Sequence, residues 1–130
     1  MGQARMVTAR MIWQDLKTHG PSDRYAVMAR TGLTQMQFYW GLTYLRDVMQ
    51  TKAGDPLVWS PKRGVYDLTT TSHVNTDEWM DWSLTYLDTR VSRMVKTREA
   101  DVAKFGATKE TTLELIGLRS MEATIKALLP

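Results

Sequence analysis

From Thr34 onward, apolar residues fall at Phe38, Leu42, Leu45 and Met49, the spacing that keeps one stripe of a 3.6-residue helix facing a core. At ~100° per residue Trp40 lies almost opposite that stripe, so the bulkiest side chain of the segment turns away from the core. Similar spacing at Val7, Met11, Ile12 and Leu16 predicts a first helix over residues 4–18, stopped by His19-Gly20-Pro21. Ser22 or Asp23 offers an N-cap to a short second helix carrying Tyr25, Val27 and Met28, which Thr31-Gly32 ends. Thr34 caps a third helix, predicted to run to about Gln50.

After TKAGDP the period changes. LVWS and VYDLT are short, β-branched and aromatic, and they flank SPKRG, which predicts a hairpin with Lys62-Arg63 at its tip. Thr69 to Asn75 is polar and reads as a linker, giving an N-terminal domain over 1–70, a linker over 71–75 and a C-terminal region over 76–130. Asn75 with Glu78 three residues on resembles a capping box. Trp79, Trp82, Tyr86, Val91 and Met94 then mark a long helix, Phe105-Gly106-Ala107 breaks it, and Thr108 caps a last one with Leu113, Ile116, Met121, Ile125 and Leu128. The predicted fold is mostly α and ends in an αα-hairpin.

Three helices and then a basic-tipped hairpin is the order of a winged helix-turn-helix. YAVMARTGLTQMQFYWGLTYL and LVWSPKRGVYDLT carry the likeness, with Thr31-Gly32-Leu33 as the tight turn. Over residues 4–70 the chain resembles the winged helix-turn-helix DNA-binding domains of bacterial and phage transcriptional regulators. Two positions depart from that pattern: Met28 stands where a small residue is usual, and Gly41 stands mid-helix where an aliphatic one is usual, costing ~1 kcal/mol of helix propensity relative to Ala.

The resemblance implies that the outer face of the third helix enters the major groove. Thr34, Gln35, Gln37, Tyr39, Trp40, Thr43 and Tyr44 are then the candidates to touch DNA, Lys62 and Arg63 of the wing would hold phosphate or reach the minor groove, and Arg24 and Arg30 would neutralise flanking phosphates. Burial of Trp40 under the C-terminal helices is the competing expectation, since large aromatics are more often buried. Regulators of this class generally dimerise to read a palindrome, so Trp79, Trp82, Tyr86, Leu113, Met121 and Ile125 are expected in a homodimer contact; a monomer with a packed helical cap is the alternative.

Composition narrows the picture further. The 130 residues suit one small domain with a helical extension, and the net charge of +3 is unevenly spread: nine Lys/Arg against five Asp/Glu in residues 1–70, eight against nine in 71–130. With no cysteine, neither a disulfide framework nor a thiolate metal site forms, which fits the cytoplasm. The N-terminus lacks the apolar core of a signal peptide or the Ser/Thr of a myristoylation signal, and no apolar run approaches the ~20 residues of a membrane span. His19 and His73 lie apart without ligand-spaced partners, Asp77-Glu78-Asp81 suits a helix N-terminus, and no phosphate-cradling or nucleophile-elbow motif occurs, so neither an enzyme nor a cofactor is expected. The expected function is a sequence-specific double-stranded DNA-binding regulator, a repressor acting as a dimer. A protein-interaction module and a replication or partition accessory factor are the alternatives.

Overall fold

The structure, a computed structural model, describes residues 2–68 and 71–130, without the side chains of residues 2 and 3. It is mostly helical with one two-stranded antiparallel sheet. Helix α1 (Gly2–His19), α2 (Arg24–Thr31) and α3 (Gln35–Tyr44) are followed by a π-helical turn (Leu45–Met49) that runs into a short α4 (Gln50–Ala53). Strands β1 (Val58–Ser60) and β2 (Val65–Asp67) pair in register Val58 to Asp67, and α5 (His73–Phe105) and α6 (Lys109–Leu128) complete the chain. The chain divides into two compact units, Met1–Trp79 and Met80–Pro130. Among the described residues no helix is long and apolar enough to cross a membrane.

The core of the first unit forms where α1 meets α3. Ala9, Ile12 and Leu16 of α1 are buried with Phe38, Leu42 and Leu45, and with Val27, Leu57 and Leu68. Val7 and Met11, expected on the buried face of α1, are exposed instead, and small Ala9 takes the inner position. The reason lies in Gly41. A Cβ on Gly41 would stand 2.9 Å from the Thr8 carbonyl carbon, the Thr8 hydroxyl and Ile12 Cδ1, so α3 rests on α1 through bare backbone. Helix propensity is given up locally for a close crossing, and the crossing fixes which face of α3 is buried.

The third helical segment outruns its expected end at Gln50 by three residues, because the π turn widens the helix at Leu45 and Gly54 stops it with φ of 70°. The widened turn lets the Gln50 amide oxygen accept from the Leu57 N–H at 3.0 Å, tying the helix end to the approach of β1. Asp55 is bound in the same region by the Trp13 indole N–H and the Lys17 ammonium, both at 3.2 Å.

A second set of polar contacts connects α1, α2 and the sheet. Asp15, buried on α1, accepts three hydrogen bonds from the Arg30 guanidinium at 2.9, 3.2 and 2.8 Å, and the same guanidinium donates to Ser22 Oγ at 2.6 Å. Ser22 exchanges backbone hydrogen bonds with Tyr66, its N–H donating at 3.0 Å and its carbonyl accepting at 2.8 Å. Hydrogen bonding to Asp15 raises the Arg30 pKa above its ordinary value, against the opposing effect of desolvation. Arg30 is thus tied to Asp15 and Ser22 of the fold while the residue itself stays exposed. His19, exposed at the end of α1, keeps Nδ1 3.4 Å from an Asp15 carboxylate oxygen.

The expected linker is also revised. Thr69 and Thr70 lie outside the described residues, and α5 already begins at His73, with Ser72 Oγ accepting from the Val74 N–H at 3.4 Å. Asn75 is therefore inside the helix rather than its cap, and its side-chain amide donates to buried Asp67 at 3.2 Å.

In the second unit, α5 and α6 form an antiparallel hairpin around Val91, Val95, Leu115, Leu118 and Ile125, with Leu84 and Val102 partly buried against them. These positions recur at intervals of seven, four and seven on α5 and of three and seven on α6, which fits a heptad seam. Ile125 belongs to this seam, so it is not free for the dimer contact expected of it. The turn carries Gly106 at φ 91°, and Thr108 caps α6 by accepting from the Thr111 N–H at 3.1 Å.

Two outcomes are expected of the first unit. Gly41→Ala gains ~1 kcal/mol of helix propensity but costs about 1–3 kcal/mol in forced separation of α1 from α3, so the urea midpoint falls; an unchanged or higher midpoint refutes the close crossing. Arg30→Ala strands a buried carboxylate and lowers the unfolding free energy by about 2 kcal/mol or more, and Asp15→Asn added to it recovers part of the loss.

Candidate nucleic-acid interface

Helix α3 is held at its start by a reciprocal cap. The Thr34 hydroxyl accepts from the Gln37 N–H at 3.2 Å, and the Gln37 amide oxygen accepts from the Thr34 N–H at 3.0 Å. Gly32 ends α2 in the left-handed region at φ 74°, its N–H donating to the Met28 carbonyl at 2.9 Å. The turn between the helices is therefore closed at both ends, and α3 projects in one direction.

Facing out from α3 are Gln35, Met36, Gln37, Tyr39, Trp40 and Thr43, all exposed. Trp40 is 40% exposed and Met36 62%. The Gln37 oxygen is occupied by the cap, which leaves its amide N–H groups as the outward-facing function. Thr43 donates its hydroxyl to the Tyr39 carbonyl at 2.9 Å, so its oxygen remains an acceptor. Tyr44 departs from expectation, since it is half-buried and packs against the core of the first unit.

A chain of aromatic rings connects this face to the hairpin. Tyr39 meets Phe38 edge-on at 5.7 Å between centroids, Phe38 meets Tyr66 at 5.7 Å, and Tyr66 meets Trp59 at 4.8 Å. Two arginines flank the chain. Arg24 donates to the hydroxyls of Tyr25, at 2.6 Å, and of Tyr39. These bonds, that to Tyr25 first, raise its pKa above the ordinary guanidinium value. Arg46 lies over the Tyr66 ring at 5.7 Å. Burial pushes the Tyr66 hydroxyl pKa up, partly offset by Arg46.

The hairpin tip is Pro61-Lys62-Arg63-Gly64, closed by a 2.7 Å bond from the Gly64 N–H to the Ser60 carbonyl. Lys62 and Arg63 are both exposed. Arg63 folds back so that its backbone N–H and Nε approach Ser60 Oγ at 3.3 and 3.4 Å, while the Ser60 hydroxyl reaches Glu78 at 3.4 Å.

Thus Arg24 and Tyr39 are brought together, Gln35, Gln37, Trp40 and Thr43 share their face, Arg30 stays exposed but paired with Asp15, and Tyr44 is half-buried. Arg46 and Met36 escaped the sequence reading, and Tyr25 was read only as an apolar position of the second helix; Arg46 stands seven residues after Tyr39 on the same side of a helix, a signal that periodicity carries. Trp79 lies in the first unit, lining a shallow groove with Arg46, Leu57 and Thr76. Chemically the face combines amides able to pair with adenine, hydroxyls able to reach phosphate, apolar groups suited to a thymine methyl, and cations at its rim. Compared with protein families, curated proteins and solved structures, the chain finds no match in any of the three.

Proposed function

We propose that the chain is a winged helix-turn-helix protein that binds double-stranded DNA sequence-specifically and regulates transcription, a repressor acting as a dimer. The observation that carries this reading is the exposed face of α3, whose amides, hydroxyls and Trp40 have no place in the core of their unit. Arg24 and Arg46 flank it, and exposed Lys62 and Arg63 of the hairpin tip would add cations for phosphate. Exposed Met36, Tyr25 and Trp40 favour a second reading, a protein-binding face anchored by aromatics.

Salt dependence separates the two. Anisotropy of a labelled random duplex should report binding that weakens with a log–log salt slope of roughly −3 to −4 per copy, from four phosphate contacts at ~0.9 each. Lys62→Ala with Arg63→Ala should reduce that slope by about 2, whereas Trp40→Ala should lower affinity for a selected site with the slope unchanged. Absence of binding at low salt overturns the DNA reading and leaves the protein-binding one.

A further inference from the structure

The two broad faces of the α5–α6 hairpin differ in kind. One carries a polar network: Lys126 donates to Asp88 at 3.1 Å, Arg119 to Glu99 at 3.3 Å, and Ser92 to Glu122. That network also lowers the Glu122 pKa, through Ser92 first. The opposite face is marked by the 2.7 Å pair of Arg98 and Glu114, and along it lie Met80, Leu87 and Met94 of α5 with Met121 and Leu128 of α6. These five are each 43% to 62% exposed.

Their spacing is seven on both helices, in phase with the buried seam of Val91, Val95, Leu115, Leu118 and Ile125. A helix with a seam and one such flanking stripe has the pattern of a member of a four-helix bundle, not of an isolated pair. Trp82 and Tyr86 stack on each other on the outer edge of α5, and Leu113 and Ile116 lie on the outer edge of α6. Being on opposite edges, these two pairs cannot form one surface.

We propose that the second unit completes its core by pairing this stripe with the same stripe of a second copy of the chain, giving a four-helix bundle of two hairpins. The inference deepens the two-copy element of the proposed function by naming its surface, and the oligomeric mass is read without DNA, so either can fail alone. Three features select a second copy as the occupant. The hairpin buries five side chains, each still 4% to 9% exposed, between two long helices, a small core that a second hairpin would enlarge. The stripe matches an identical stripe in repeat, length and chemistry, as a two-fold interface requires. The face is ~30 Å long and ~20 Å wide, on the order of 600 Å², near the ~800 Å² per partner of a standard specific interface.

The same face is shaped to receive knobs. A groove of about 420 Å³ opens beside Met94, Thr97 and Leu118, and a Cβ on nearby Gly117 would meet nothing within 4 Å. Arg90 and Arg93 also line the groove, and at its wall Arg98 is already paired with Glu114 and Asp101.

Sedimentation equilibrium of the full chain at micromolar concentration should give twice the 14.9 kDa monomer mass. Met94→Glu with Met121→Glu should give a single-chain mass, while Tyr86→Glu with Leu113→Glu should leave the doubled mass in place. A monomeric natural chain, or the opposite response of the two double variants, overturns the proposal. If the Met94→Glu/Met121→Glu chain loses its helical circular dichroism, cysteine pairs decide, since the natural chain has none. A short bismaleimide should then join two copies of a Met121→Cys chain and not of a Leu113→Cys chain; the reverse overturns the proposal.

Discussion

The contact of Gly41 with the Thr8 backbone governs the first unit, because it fixes both the distance between α1 and α3 and the rotation of α3 about its axis. Any side chain at Gly41 would meet main-chain atoms of α1, which cannot swing aside as a flexible side chain would. With that line of contact set, Phe38, Leu42 and Leu45 fall inward and Met36, Trp40 and Thr43 fall outward at 3.6 residues per turn. The outward position of Trp40 follows from the placement of a glycine next to it. It needs no special feature of the tryptophan itself.

The polar connection from Asp15 to the sheet is a second, separate tie within the same unit. Arg30 pulls the end of α2 onto α1, and through Ser22 it holds the strand-like segment that pairs with Tyr66. Tyr66 in turn presses on Phe38 and carries Arg46 on its ring. A buried carboxylate on the first helix thereby sets the position of the hairpin relative to α3. Such a network is costly to leave half-satisfied, and among the described residues no buried side-chain polar atom lacks a partner.

Much of this was legible in the sequence, and what was not has identifiable causes. Helix starts at Arg24, Gln35 and Lys109 were readable because Asp23, Thr34 and Thr108 cap through short-range bonds. The hairpin was readable from the change to period two. The inner face of α1 was misread since Ala9 is a weak hydrophobic signal, and its burial depends on a glycine thirty-two residues away. Arg30 was read as a free cation because only the fold brings Asp15 to it. In α5 the expected face included Val91, which is buried in the seam, but also Trp82 and Tyr86, which lie on the outer edge, while the smaller Val95 that completes the seam was not picked out. Periodicity ranked by side-chain size finds a stripe, but an antiparallel pair selects the residues that interdigitate closely.

The distribution of cations then bears on how the proposed interface would work. The basic surplus of the N-terminal half overstates the charge available at its surface, since Arg30 is spent on Asp15 and Lys17 on Asp55. Arg24 and Arg46 are held by tyrosines, one through hydroxyls and one through a ring face, so they stand at fixed points and not as a diffuse positive field. Phosphate contacts of that kind position a duplex without gripping it strongly, and affinity would rest more heavily on the amides and aromatics of α3. On the proposed reading, such a face would hold any duplex through its few cations and would choose among duplexes through the side chains of α3. That is the balance a sequence-specific protein needs when it competes against an excess of other sites.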